Sequence, residues 1–174
     1  KAKDYFPING LSPRLYDKGR MIYDLLAPKG LTISSAESLT GGLVSAALTA
    51  TPGSSEIFLA GITAYSIESK INILEVSADT IKKKGAVSSA CAIEMALGIW
   101  RLTGSDLAVA TTGLAGPSGG TAKKPIGLTY VAFFQKKNHS CIIKRLKLSG
   151  DRALITAQAA EEVLDLVACT LKTF

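Results

Sequence analysis

At 174 residues, 47% hydrophobic and 20% charged, the chain has the length and apolar content of one globular domain with an ample core. Its longest apolar runs, such as Leu43 to Leu48, are far shorter than a membrane span, and Lys1 to Pro7 lacks a signal-peptide core, so a soluble, cytoplasmic protein is expected. The net charge of +6 is spread over short groups (Lys82 to Lys84, Lys123 and Lys124, Lys136 and Lys137, Lys144 with Arg145 and Lys147) without interleaved aromatics, which argues against nucleic acid and fits an anionic small molecule.

Residues 1–11 read as an irregular arm. From Ser12 to about Lys29 the spacing of Leu15, Ile22, Leu25 and Leu26 predicts a helix with one buried stripe, stopped by Gly30. Leu31 to Ser35 reads as a strand, Thr40 to Thr51 as a small-residue helix ended by Pro52-Gly53, and Ile57 to Tyr65 as a second strand. Short helices follow over Ser66 to Leu74 and Ser77 to Lys84, the latter stopped by Gly85. Ser88 or Ser89 then caps a longer, well-buried helix reaching about Leu102.

Leu107 to Thr111 is the next strand, followed by a glycine-rich loop from Thr112 to Gly120. Ile126 to Gln135 and Cys141 to Leu148 form an antiparallel hairpin, and a helix from Asp151 carries a stripe of Ala160, Val163, Leu164, Val167 and Leu171. The expected fold is α/β: a single-domain, three-layer α/β/α sandwich with a mixed, mainly parallel sheet and a C-terminal antiparallel hairpin.

Chemistry concentrates at Ala36-Glu37-Ser38-Leu39-Thr40-Gly41-Gly42, where a strand, a polar turn and a helix start meet. Ser38 is either an N-cap or a free hydroxyl, and Ser34, Ser35, Ser38 and Thr40 cannot all cap one helix. Gly41 and Gly42 would let a ligand approach the backbone and present an oxyanion to its N–H groups. The lone histidine, His139, falls in an apparent turn, which argues against a Ser-His triad or a multi-histidine metal site. Cys91, Cys141 and Cys169 have no C-x-x-C spacing and read as reduced, mostly buried thiols.

In a helix starting near Ser66, Lys70 falls on the same stripe as Ile67, Ile71 and Leu74. It either snorkels outward or is desolvated into a general base, and serine with lysine is a known replacement for serine with histidine. Tyr65 could relay a proton or stand with its hydroxyl in water. The loop from Thr112 would suit phosphate or ribose, although it is neither a P-loop nor a dinucleotide fingerprint. In Gly150-Asp151-Arg152, Asp151 is a plausible cap, and Arg152 is either a phosphate partner or a surface arginine.

The segments A-E-S-L-T-G-G, P-G-S-S-E-I-F-L-A-G-I-T-A-Y-S-I-E-S-K, G-A-V-S, T-G-L-A-G-P-S-G-G-T-A-K-K-P-I-G and G-D-R occur in the order and approximate spacing of the CinA C-terminal domain family, which the chain resembles over roughly residues 12 to 170. The resemblance implies an α/β/α fold that commonly dimerises. It also implies amidohydrolase activity converting nicotinamide mononucleotide and water to nicotinate mononucleotide and ammonia, with no metal and no cofactor. Carried over, Ser38 resembles the nucleophile, Lys70 its base, Tyr65 an assisting hydroxyl, Thr112 with Gly113, Ala115 and Gly116 the substrate-binding segment, and Arg152 a phosphate contact. The chain departs from the family at Leu39, where cysteine is frequent, and at Ile67, where asparagine is usual. The separate N-terminal domain of many members is missing, which points to the stand-alone form.

The expected mechanism is attack of Ser38 on the carboxamide with Lys70 as base, the amides near Thr40 to Gly42 holding the oxyanion, and Arg152 with Gly113 to Gly116 holding phosphate and ribose. Two rival readings are a nucleotide-binding or competence-associated interaction module without catalysis and an amidase for another small carboxamide.

Overall fold

The computed structural model describes residues 11–172. Helix α1 (Pro13–Leu26) starts where the Ser12 hydroxyl accepts the Leu15 N–H at 3.2 Å with Pro13 in the first turn, and it ends through a 3-10 turn at Gly30, φ +60°. Strand β1 (Ile33–Glu37) begins two residues later than its alternation predicts. Leu31 N–H still closes the preceding turn onto Leu26, and Thr32 is held by Asp106 through both its N–H and its hydroxyl.

Helix α2 (Leu43–Thr49) is shorter than expected because Gly41 and Gly42 take φ of +60° and +103°, extending the turn after β1. Strand β2 (Phe58–Thr63) leads to α3 (Ile67–Asn72), α4 (Ala78–Lys84) and α5 (Ser89–Thr103), the last capped by Ser88. Strands β3 (Leu107–Gly113), β4 (Leu128–Gln135) and β5 (Ser140–Lys147) follow, and α6 (Arg152–Lys172) closes the chain.

The five strands form one sheet in the order β2-β1-β3-β4-β5. The β1–β2 and β1–β3 pairings are parallel and the β3–β4 and β4–β5 pairings antiparallel, so β4 alone runs against the other strands, as expected of a mixed sheet with a late hairpin. Alternation along each strand divides the core. Ile33, Val109, Val131 and Phe133 pack with Leu15, Val44, Leu48, Val163 and Val167 of α1, α2 and α6. Ala36, Ala108, Ala110, Ala132 and Phe134 pack on the other face with Leu74, Met95 and Ile99. The sandwich is therefore α/β/α.

Gly98 lets α5 reach the chain just after α3: a Cβ there would lie 2.0 Å from the Leu74 carbonyl oxygen. That contact seats α3, and α3 positions a buried lysine. Of the expected N-terminal arm, only Leu11 is among the described residues, and it is buried in the α1 core. Among the described residues no helix is long and apolar enough to cross a membrane.

Candidate active site

β1 lies between β2 and β3, so its last residues emerge at the centre of the sheet's carboxyl edge, the usual ligand side of an α/β sheet. Alternation sends Glu37 and Ser38 to opposite faces. Ser38 N–H donates to Thr111 O at 3.0 Å, fixing its backbone on β3, and its Oγ lies 2.9 Å from Lys70 Nζ. Among the described residues no helix N–H is bonded to the Ser38 hydroxyl. Capping falls instead to the Glu37 carboxylate, which accepts from Gly42 N–H (3.0 Å), Val44 N–H (3.1 Å), Ser45 N–H (2.8 Å) and Ser45 Oγ (2.6 Å).

Lys70 does not snorkel. It is 2% exposed, and its Nζ is held by Ala64 O at 2.6 Å and Tyr65 O at 3.3 Å as well as by Ser38. Burial holds its pKa below the usual lysine value, with the Cys91 sulfur a smaller opposing influence. A neutral amine has two N–H bonds and one lone pair. With the N–H bonds on the two carbonyls, the lone pair faces the Ser38 hydroxyl, the geometry of a base poised on a nucleophile.

The stripe predicted for α3 needs one correction. Lys70 and Leu74 are buried, but Ile67 is 45% exposed, because it starts the helix at the rim of a cleft while the later turn packs on α5.

That cleft, of about 250 Å³, is lined by Ser38, Lys70, Tyr65, Thr112, Gly113, Ala115, Gly116 and Arg152 from the sequence candidates. Leu39, Ile67, Ala86, Val87, Leu114 and Ser118 complete it. Thr40, Gly41 and Gly42 do not line it, and two of the three amides expected to hold an oxyanion, those of Gly41 and Gly42, are already bonded. Gly41 N–H is bonded to Ser38 O at 3.1 Å, Gly42 N–H to Glu37, and the Thr40 hydroxyl to Thr111 Oγ1 at 2.7 Å. Leu39 does line the cleft, and among the described residues neither its N–H nor that of Thr40 has a protein acceptor.

Tyr65 also departs from expectation. Its hydroxyl pairs with Arg152 Nη2 rather than with Ser38, and it is the Tyr65 carbonyl that touches Lys70. Arg152 Nη1 donates to Gly116 O at 2.9 Å, so one guanidinium joins the glycine loop to the tyrosine across the cleft mouth. Thr112 donates its hydroxyl to Ala86 O at 2.8 Å. Lys124 donates to Lys84 O and Val87 O at 2.7 and 2.9 Å, holding the loop against the α4–α5 connection that forms the opposite wall. Asp151 caps α6 through Leu154 N–H at 2.8 Å, as predicted.

The remaining candidates lie elsewhere. His139 sits beyond the far ends of β4 and β5, with its ring edge-on to Trp100 and Phe134. Of the three cysteines, Cys91 is buried, with its thiol pushed up to about 11 by desolvation, Cys141 is partly buried and Cys169 is exposed. Sequence reading missed Glu37 and Lys124, whose partners are mostly backbone groups. An acidic residue at the end of a strand, shortly before the Gly41-Gly42 pair and within reach of the following helix start, was the available signal for Glu37.

Comparison with known proteins follows the same lines. The family model described as the CinA C-terminal domain matches residues 17–171. A CinA-like protein of Kosmotoga olearia is 46% identical over 147 residues, covering 84% of this chain and 35% of that protein, and one of Dictyoglomus turgidum is 48% identical over the same length and coverage. The chain thus spans about a third of the length of these curated relatives. Among solved structures, the competence/damage inducible protein CihA of Agrobacterium tumefaciens superposes with a TM-score of 0.89 at 33% identity, covering 93% of this chain and 98% of that one. The competence damage-inducible protein A of Klebsiella pneumoniae gives 0.87 at 33% identity, covering 91% and 97%.

Proposed function

This chain belongs to the CinA C-terminal domain family, and from that premise we propose that it is an amidohydrolase that converts nicotinamide mononucleotide to nicotinate mononucleotide and ammonia. The observation that carries the reading is the buried Lys70 Nζ, 2.9 Å from Ser38 Oγ at the floor of an open cleft. Neutral Lys70 takes the Ser38 proton as Oγ attacks the carboxamide carbon, and returns it to the departing nitrogen so that ammonia leaves. Water, deprotonated by the same amine, then hydrolyses the acyl-serine.

The N–H groups of Leu39 and Thr40, unclaimed by other groups, are the donors for the tetrahedral oxyanion. Ile67, Val87 and Leu114 offer apolar contact to the flat ring. At about 250 Å³ the cleft accepts ring and carboxamide and leaves ribose and phosphate at the mouth, beside the Gly116 loop and Arg152. Only two of the guanidinium's five donors are shown engaged, so it can take a phosphate in fork geometry. Binding energy from that remote group would orient the carboxamide over Ser38.

The test is ammonia release from nicotinamide mononucleotide, its riboside, its dinucleotide and free nicotinamide, with and without EDTA. Metal-independent turnover fastest on the mononucleotide is expected. Tight binding without ammonia would favour the catalytically silent module, and preference for a compound lacking phosphate would favour another carboxamide.

A further inference from the structure

Glu37 lies beside the proposed nucleophile in sequence but on the opposite face of the sheet, 1% exposed. Its two carboxylate oxygens accept four hydrogen bonds, Oε2 from Gly42 and Val44 N–H and Oε1 from Ser45 N–H and Oγ. Ser45 Oγ also pairs with Ser35 Oγ at 2.9 Å, and the space for both hydroxyls exists because residue 61 is glycine: a Cβ there would lie 2.2 Å from Ser45 Oγ. The carboxylate thus satisfies N–H groups at the start of α2 that have no partner within the helix. The carboxylate grips the far end of the turn that begins at Ser38, while Ser38 N–H on Thr111 grips the near end.

We infer that Glu37 is a positioning residue: by clamping α2 to β1 it sets the turn so that Ser38 Oγ faces Lys70 and the Leu39 and Thr40 amides stay free for the oxyanion. The inference rests on the reading of Ser38 as an activated nucleophile, but not on the identity of the substrate. Glutamine is a poor substitute for the carboxylate, since its NH₂ group would face the Gly42 and Val44 N–H groups at one position and the Ser45 N–H at the other. Because Glu37 and Lys70 act from opposite faces, the clamp works through geometry and leaves the proton affinity of Lys70 alone.

The test uses phenylmethanesulfonyl fluoride on the intact protein. Ser38 Oγ bonds to sulfur as the S–F bond breaks, fluoride departs, and the proton passes to Lys70; peptide mass spectrometry follows the adduct at Ser38. Glu37→Gln is expected to slow labelling at least about tenfold per folded molecule, and Ser45→Ala, which removes one bond to the carboxylate, about threefold. The pH of half-maximal labelling should match the wild type in both. Wild-type labelling rates in the folded variants would overturn the proposal, as would a displaced pH midpoint, which would mean that Glu37 acts on Lys70. If Glu37→Gln does not fold, Ser45→Ala decides alone. Nucleotide amidase activity can fail while this result stands, whereas an unreactive wild-type Ser38 would overturn both.

Discussion

Lys70 Nζ and Ser38 Oγ meet at 2.9 Å although 32 residues separate them. The serine is set by a turn held to two neighbouring elements, the lysine by a six-residue helix anchored by the buried Leu74 just after it. The fold spends its precision on that pair, and it does so at the expense of lysine solvation. Both consequences are measurable.

The rate should follow the protonation of Lys70. Since burial lowers its pKa from 10.5, kcat/KM should rise with pH and level off below that value, as the amine becomes available. Ser38→Ala should reduce ammonia release by roughly 10⁴-fold. Lys70→Arg, permanently charged, should lose both activity and the rising limb. Initial rates across neutral and alkaline pH check this, and an unchanged profile in Lys70→Arg would assign the base elsewhere.

The same shift predicts a stability effect. Folded Lys70 gives up its proton at lower pH than unfolded Lys70, so between its depressed pKa and 10.5 the unfolded chain binds more protons and stability must climb with pH. Below the depressed pKa, burying the charged form is a constant penalty. Lys70→Met removes the linkage. Melting of both proteins over this range should show wild type gaining relative to Lys70→Met as pH rises, and parallel curves would contradict a desolvated lysine.

At the cleft mouth, Arg152 bridges the Gly116 carbonyl and the Tyr65 hydroxyl. Arg152→Ala should therefore raise KM for nicotinamide mononucleotide by about 10–100-fold, the worth of one or two charge-assisted hydrogen bonds, and leave free nicotinamide almost untouched. Tyr65→Phe should raise KM only a few-fold at nearly constant kcat, because the phenol contacts Arg152 and not Ser38. A large kcat loss in Tyr65→Phe would return the tyrosine to the proton path.

Much of this was legible in the chain because its determinants are local. Gly30 and Gly85 end helices, Asp151 caps one, and helical phase puts Lys70 on the stripe of Leu74, although it leaves open whether the side chain snorkels. What could not be read depends on partners far along the sequence. The Tyr65 hydroxyl finds Arg152 87 residues on, and Lys124 reaches back 40 and 37 residues to two carbonyls that no side-chain pattern announces. The misplaced oxyanion site has another cause. Gly41 and Gly42 looked like open backbone, but the carboxylate just before the serine had already claimed the helix start.

The seating of Lys70 depends on Gly98, and this gives a test of packing rather than chemistry. A Cβ at residue 98 would lie 2.0 Å from the Leu74 carbonyl oxygen and 2.8 Å from its carbon, both backbone atoms that cannot swing aside. Gly98→Ala must displace the chain just after α3 from α5, at a cost of about 1–3 kcal/mol and a drop in melting temperature of about 3–10 °C. Because Lys70 lies one turn before Leu74, the displacement should also slow ammonia release. Gly104→Ala is the matched control: at φ +68° it strains the backbone, but nothing lies within 4 Å of its Cβ, so it should cost stability without cost to catalysis. If both variants lower the melting temperature and neither lowers the rate, the α3–α5 contact supports the fold but does not place the lysine.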